Sequence, residues 1–102
     1  MSGVPYLKMN GLGNDFVIVD GRESGQRFST RAVQKIGDRV SGVGFDQMIV
    51  MERPAPGSDV FMRIYNADGS EISACGNATR CVAALLAEEL GRPGVIIETR
   101  AG

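Results

Sequence analysis

The sequence predicts an α+β domain in which a mostly antiparallel sheet is wrapped around a central helix. Apolar and amphipathic segments follow one another in the order β-β-α-β-β-α-β, which lacks the regular alternation of a doubly wound parallel sheet. The last helix contains a continuous apolar run at residues 81–87. Because a surface helix shows a single apolar stripe, this run predicts a helix that is buried on all sides.

Short apolar runs bounded by turn-forming residues predict five strands, at residues 6–9, 16–19, 47–51, 60–65 and 95–99. Ser29 or Thr30 is expected to cap a first helix that continues to Val40. The central helix is expected to begin near Asn77 and to stop at Gly91. No internal repeat or low-complexity tract interrupts this order, so the 102 residues are expected to form one domain.

The charge balance argues against a nucleic-acid partner. With 11 basic and 12 acidic residues the formal net charge is -1, which predicts no broad basic surface. No apolar run approaches the ~20 residues that a membrane helix needs. The first ten residues also lack the basic and apolar regions of a signal peptide. We therefore expect a cytoplasmic protein that binds neither nucleic acid nor membrane.

The two cysteines, Cys75 and Cys81, are expected to be reduced thiols, as in a reducing compartment. If both lie on one helix, their spacing in the sequence separates them by about 9 Å. A disulfide needs Cα atoms within about 7 Å, so a bridge between them is not expected. The chain has no histidine, and two thiols alone make a poor zinc site.

Cys75 is the first candidate for chemistry. It is expected at or just before the start of the central helix, where backbone N–H groups lack partners and the helix dipole adds partial positive charge. Both effects favour a thiolate, so Cys75 is a candidate reactive thiol. The alternative is a small buried residue, which is common for cysteine. Cys81 falls within the apolar run and is expected to pack inertly in the core.

Gly76 and Asn77 are candidates for binding an anion. Their backbone N–H groups would lie at the helix N-terminus, which is a natural seat for a carboxylate or phosphate. Asn77 is also a good helix cap, and the two roles are compatible.

Three further polar residues are candidate ligands with an ordinary structural alternative. Asn14 lies in a glycine-containing loop and either faces a cleft or serves the turn. Asn66 is either a turn former or a ligand, and Asp68 in the same turn is expected to be structural. Gln47 opens a strand and is an ordinary surface residue unless it lines the cleft.

Three motifs resemble those of the diaminopimelate epimerase family. They are KMNGLGNDFVIVD at residues 8–20, GVGFDQ at residues 42–47 and YNADGSEISACGNATRC at residues 65–81. Their order and spacing also match the family, and the similarity spans nearly the whole chain. Two positions depart from the family pattern: Asn10 stands where many members have histidine, and Ala78 where many have a second glycine after CGN.

The resemblance implies epimerisation of LL-diaminopimelate to meso-diaminopimelate, in lysine and peptidoglycan precursor synthesis, without pyridoxal phosphate or a metal. In the family, two cysteines face opposite sides of the substrate α-carbon, one as thiolate and the other as thiol, and Cys75 matches the first. By the same match, the backbone amides of Gly76 and Asn77 would bind the reacting α-carboxylate. The other residues that would line the substrate pocket are Asn14, Gln47 and Asn66.

The family's enzymes have two similar halves, so the resemblance implies that this chain is the N-terminal half. In the family that half is completed by a segment from the far C-terminus, and the second cysteine lies in the other half. The chain alone is therefore expected to be inactive. The implied partners are diaminopimelate and the C-terminal half. Apolar surface exposed where that half docks would also favour self-association, for example as a homodimer.

Two alternatives to this function remain. One is a related racemase or isomerase of the same fold, such as a proline racemase or a phenazine-synthesis isomerase. The other is a module that binds carboxylates at the helix N-terminus without catalysis.

Overall fold

The computed structural model describes residues 6–11, 14–23, 28–39, 42, 44–73 and 76–100, which contain six strands and two helices. The strands are β1 (Tyr6–Gly11), β2 (Asn14–Asp20), β3 (Gln47–Glu52), β4 (Val60–Asn66), β5 (Glu71–Ile72) and β6 (Ile97–Glu98). The helices are α1 (Thr30–Gly37) and α2 (Gly76–Leu90).

All of these strands belong to one sheet. β1, β2, β3 and β4 lie side by side in that order, and both β5 and β6 pair with the outer edge of β4. Neighbours are antiparallel at β1–β2, β3–β4 and β4–β5, and parallel at β2–β3 and β4–β6. A helix separates the strands of each parallel pair in the chain, because a parallel connection must return to the same end of the sheet. The predicted α+β class with a mostly antiparallel sheet is confirmed, and the two parallel pairs make the sheet a mixed one.

The two helices pack on opposite faces of the sheet, because successive strand residues point to opposite faces. The core on the α2 face contains Phe16, Ile18, Ile49, Met51, Val60, Met62, Ile64, Ala78, Val82 and Leu86. The core on the α1 face contains Val17, Val19, Val33, Phe45, Met48, Val50 and Tyr65. Burial on both faces explains why β2 and β3 are continuous apolar runs rather than alternating ones.

The predicted strands are all present, with ends that differ by one or two residues. The two-residue strand β5 was not predicted. Ser29 caps α1 as expected, since its side chain accepts a hydrogen bond from Ala32 N–H. The predicted end of α1 at Val40, a residue outside the described ranges, is wrong because the helix stops at Gly37 and Asp38 is extended.

The expectation that α2 is buried on all sides is wrong for this chain. Ala78, Val82 and Leu86, each four residues from the next, are buried against the sheet, whereas Ala84 is exposed. Leu90 at the end of the helix is 44% exposed. The described strands cover one face of α2, so its other faces are only partly covered. Neither described helix is long and apolar enough to cross a membrane.

Candidate active site

The start of β3 and the end of β4 bring two of the predicted site residues together. Gln47 is the first residue of β3, Asn66 is the last residue of β4, and the two are register partners. Gln47 also pairs with Phe16 of β2, two residues after Asn14, which begins that strand. The backbone register thus collects Asn14, Gln47 and Asn66 at one end of the sheet, which we term the polar end.

The side chains of Gln47 and Asn66 are in contact, with Gln47 Nε2 donating to Asn66 Oδ1 over 3.4 Å. Both side chains are partly buried. Asn66 also closes a turn, because its N–H donates to Ser70 O over 2.8 Å and its carbonyl accepts from Gly69 N–H over 3.0 Å. Of the two roles predicted for Asn66, the turn is confirmed, and contact with a ligand stays a prediction.

An ion-pair bridge holds the starts of β2 and β3 next to each other. Asp15 N–H donates to Asp46 Oδ2 over 2.7 Å, and Asp46 N–H donates to Asp15 O over 3.0 Å. Arg39, just beyond α1, donates to both carboxylates over 3.1 Å. These carboxylates belong to the residues next to Asn14 and Gln47, so the bridge fixes the backbone from which both extend.

Asn10, one of the two departures from the family pattern, is also in contact with the bridge. Arg39 holds the pKa of Asp15 below its usual value by donating a hydrogen bond, and Asn10 adds to this effect by donating over 2.8 Å. Sequence reasoning missed the bridge, because its two aspartates are far apart in the chain and Arg39 follows a helix whose end was misplaced. The positions of Asp15 and Asp46 beside two site candidates were the signal that could have found it.

The N-terminal end of α2 lies toward the polar end. Ala78 in the first turn is fully buried in the core that contains Phe16, near the start of β2. Glu89 in the last turn binds Arg22, which lies beyond the opposite end of β2. The N–H groups of the first turn lack partners within the helix and carry the positive end of the dipole. No acidic residue in that turn neutralises them, so this end of α2 favours an anion.

Gly76 begins α2 and is exposed. A Cβ atom added at Gly76 would meet no described atom within 4 Å. Asn77 is the second residue within α2, so the expectation that it caps the helix is wrong. Cys75 lies outside the described residues, as do the side chains of Asn14 and Asn77. The predicted roles of these groups therefore stay predictions.

Cys81 is half-buried and packs against the core on the α2 face. It takes part in no disulfide, and its chemical inertness stays a prediction. Within the described part of the chain, no cluster of three His, Cys, Asp or Glu side chains is arranged to hold a metal ion.

A groove of about 230 Å³ lies at the opposite end of the sheet from the polar end. It is lined by Tyr6, Leu7, Ile18, Asp20, Arg22, Met51, Leu85, Leu86 and Glu89. None of the predicted site residues that the structure describes lines it, so the groove is separate from the candidate site.

The comparisons with known proteins agree with the motifs. The family model described as Diaminopimelate epimerase matches residues 6–102. The diaminopimelate epimerase of Rhodospirillum centenum is 54% identical over 98 residues, which are 95% of this chain and 34% of that protein. The diaminopimelate epimerase of Acidiphilium cryptum is 56% identical, over 96% of this chain and 35% of that protein. The chain thus spans about a third of the length of the curated relatives it matches.

A solved structure supports the same fold. The phenazine biosynthesis protein of the PhzF family from Bacillus anthracis superposes with a TM-score of 0.61 and 25% sequence identity, over 97% of this chain and 32% of that chain. The fold is therefore shared with that protein, while the sequence is much closer to the epimerases. Because the family model covers nearly every residue and these relatives are more than half identical, the chain belongs to the diaminopimelate epimerase family.

Proposed function

We propose that this chain supplies one side of the active site of a cofactor-independent diaminopimelate epimerase, which interconverts the LL and meso forms of the substrate for lysine and peptidoglycan precursor synthesis. Cys75 exchanges the α-proton on one face of the α-carbon. The backbone amides of Gly76 and Asn77 hold the reacting α-carboxylate. The residues that line the rest of the pocket are Asn14, Gln47 and Asn66.

The observation that carries this proposal is the start of α2 at Gly76, the residue directly after Cys75 in the sequence. Consecutive Cα atoms are about 3.8 Å apart, so the cysteine backbone adjoins the helix N-terminus. That end of the helix lies toward Gln47 and Asn66, which are in contact at the polar end. Family membership and this arrangement together favour a thiol acting beside a bound carboxylate.

The chemistry needs positive potential, because an α-proton is a very weak acid. The thiolate of Cys75 takes the proton from the α-carbon, and the electron pair left behind spreads into the α-carboxylate. The N–H groups at the start of α2 stabilise this growing negative charge more strongly in the transition state than in the ground state. A thiol on the opposite face then donates its proton to the same carbon, so the configuration is inverted.

The second thiol must come from outside this chain. Cys81 lies five residues after Gly76, or about 7.5 Å along α2, and is half-buried against the core. It therefore does not face the same α-carbon from the opposite side. We assign that role to a cysteine in the portion of the family's length that these 102 residues do not span.

A module that binds carboxylates without catalysis is the second candidate function. It is favoured by the lack of described atoms within 4 Å of a Cβ atom added at Gly76 and by the lack of acidic residues in the first turn of α2. Such a module would bind diaminopimelate but would not exchange its α-proton. Deuterium incorporation at the α-carbon therefore separates the two functions.

The test is to assay the full-length gene product on LL-diaminopimelate in deuterated water. The wild-type protein is expected to form meso-diaminopimelate that carries deuterium at the α-carbon. Cys75→Ser is expected to lower turnover by about 100- to 10,000-fold, the range of a general base. Cys81→Ala is the control and is expected to retain turnover.

The 102-residue chain assayed alone is expected to give no product, because it would supply a thiol on one face only. Retained turnover in Cys75→Ser would contradict the role of this cysteine. Binding of diaminopimelate without deuterium exchange by the wild-type gene product would support the binding module instead.

A further inference from the structure

The Asn66 side chain belongs to a chain of hydrogen bonds that starts at Asp68. Asp68 Oδ1 accepts from Ser70 Oγ over 2.6 Å and from Ser70 N–H over 2.9 Å. Asn66 Nδ2 donates to Ser70 Oγ over 3.2 Å, and Asn66 Oδ1 accepts from Gln47 Nε2 over 3.4 Å. We term this series, from Asp68 through Ser70 and Asn66 to Gln47, the relay.

The direction of each hydrogen bond in the relay follows from the group before it, beginning at Asp68. The hydrogen bonds from the Ser70 hydroxyl and N–H lower the pKa of Asp68, so its carboxylate is ionised at neutral pH and only accepts. The single proton of the Ser70 hydroxyl is therefore directed at Asp68, and its oxygen can only accept from Asn66. Asn66 must then present Nδ2 to Ser70, which leaves Oδ1 facing Gln47.

The turn that carries Asp68 is itself fixed against α1. Gln34 Nε2 donates to the backbone oxygen of Asp68 over 2.7 Å. Gly69 has a φ of 90°, and a Cβ atom at this position would lie 2.5 Å from Thr30 Cγ2. A glycine is thus required both by the left-handed backbone and by the close approach to α1. The relay therefore begins from a backbone whose position is set by a helix.

We propose that Asp68 is a positioning residue, which acts through Ser70 to fix the orientation of the Asn66 amide and so the donors and acceptors that the polar end offers a substrate. The two flipped orientations of an asparagine have nearly the same shape, so hydrogen-bond partners decide between them. The proposed substrate carries both ammonium and carboxylate groups, and a flipped amide would present a donor where an acceptor is needed. The role toward a substrate rests on the proposed function, whereas the relay does not.

Asp68→Asn is the sharpest variant, because asparagine keeps the shape and the preference for turns but can donate to Ser70 as well as accept from it. Ser70→Ala removes the acceptor for Asn66, and Ser70→Thr restores a hydroxyl. Glu88→Gln, at an exposed position of α2, removes the same charge as Asp68→Asn and is the matched control.

The first measurement is the side-chain amide signal of Asn66 in nitrogen–proton NMR spectra of the 102-residue chain. Wild type, Ser70→Thr and Glu88→Gln are expected to give one sharp pair of signals. Asp68→Asn and Ser70→Ala are expected to give displaced, broadened or doubled signals. A thermal unfolding curve for each variant identifies any signal that is lost through unfolding, and Asp68→Asn decides the result where Ser70→Ala does not fold.

The second measurement is the kinetics of the full-length gene product on diaminopimelate. Asp68→Asn and Ser70→Ala are expected to raise KM about 3- to 10-fold with kcat changed less than about two-fold, because one ordinary hydrogen bond to the substrate is weakened in ground and transition states alike. Ser70→Thr, which keeps the hydroxyl, is expected to have the KM of wild type.

Three outcomes would contradict either this inference or the proposed function. Unchanged Asn66 signals in both Asp68→Asn and Ser70→Ala would overturn the relay. Changed signals with an unchanged KM in an active enzyme would overturn the positioning role. A wild-type gene product without epimerase activity would overturn the proposed function and with it the role toward a substrate, while the NMR spectra would still decide the relay.

Discussion

Arg22 and Glu89 are joined by two hydrogen bonds, from Nη1 to Oε2 over 2.8 Å and from Nη2 to Oε1 over 3.0 Å. Arg22 also donates to Asp20 Oδ2 over 2.7 Å. Since Arg22 follows β2 and Glu89 lies in the last turn of α2, the pair fastens that end of the helix to the end of the sheet opposite the polar end. The helix is a rod about 22 Å long, so this contact helps to set the position of Gly76 at its other end.

Arg22→Gln is expected to lower the stability by about 1 kcal/mol at neutral pH, the scale of partly exposed ion pairs. The Arg22 guanidinium lowers the pKa of both Asp20 and Glu89 below their usual values. A carboxylate with a lowered pKa in the folded state adds stability above its unfolded pKa, and this contribution is lost as the pH falls through the folded pKa. The difference between wild type and variant is therefore expected to be complete above about pH 5 and to shrink below about pH 4.

Urea unfolding of both proteins at neutral and acidic pH measures this difference directly. Arg31→Gln, at an exposed position of α1, controls for the loss of a positive charge elsewhere on the surface. A difference between wild type and Arg22→Gln that stays constant down to pH 3 would show that the two carboxylates do not stabilise the fold through Arg22.

Leu86→Ala is expected to cost about 2–5 kcal/mol of stability, because Leu86 is fully buried between α2 and the sheet and its removal leaves a cavity. Leu85→Ala is the matched variant on the preceding residue, which is only half-buried. Its cost is expected to be about 1 kcal/mol, since less apolar surface is removed from water at this position. Equal shifts of the thermal unfolding midpoint in the two variants would contradict the finding that Leu86 is buried against the sheet while Leu85 is only half-buried.

The neighbours Leu85 and Leu86 also show where sequence reasoning reached its limit. A continuous apolar run predicts a helix with an extensive apolar surface, but it does not say which residues meet the sheet. β2 and β3 could be predicted because each is buried on both faces and therefore reads as a continuous apolar run, which is visible in the local sequence. The end of α1 could not, because the apolar spacing continues to Val40 in the sequence, whereas the helix stops at Gly37. A Cβ atom added at Gly37 would lie 3.1 Å from Phe45 Cζ, a contact that no local pattern encodes.

In the candidate site, too, some features could be predicted from the sequence and others could not. Motif and resemblance predicted Gln47 and Asn66 as site residues, while the contact between them follows from the register of β3 and β4. Local turn chemistry predicted a structural role for Asp68, and Asp68 does accept hydrogen bonds from Ser70 within the turn. Its influence on Asn66, and the bridge made by Arg39, depend on which side chains the fold brings together, which no local pattern encodes.

Ala78→Gly is expected to lower the stability by about 1–2 kcal/mol, although the family pattern often has glycine at this position. Ala78 is fully buried in the core on the α2 face, so the change removes a packed methyl group. It also places glycine within a helix, which costs up to about 1 kcal/mol relative to alanine. Thermal unfolding of the 102-residue chain measures the loss, and a midpoint equal to that of wild type would show that the methyl group is not packed there.

Gly76→Ala is expected to leave the stability nearly unchanged while lowering kcat/KM for diaminopimelate by about 100-fold. Alanine keeps the backbone N–H, but its methyl group would hold the developing anion away from that donor, which has the scale of losing the donor. The backbone of Gly76 is not in the left-handed region, and a methyl group added there meets no described atom within 4 Å. If the α-carboxylate binds at the start of α2 as proposed, the added methyl group would hinder its approach to the first N–H groups. We therefore expect the glycine to matter for ligand binding more than for folding.

Gly94→Ala is the matched control for Gly76→Ala, because Gly94 is also exposed, is not left-handed and has no described atom within 4 Å of an added Cβ. Circular dichroism on both variants of the 102-residue chain is expected to give thermal midpoints close to wild type. In the full-length gene product, only Gly76→Ala is expected to lose activity. Full activity in Gly76→Ala would mean that the substrate carboxylate does not approach the start of α2, and the proposed anion site would have to be abandoned.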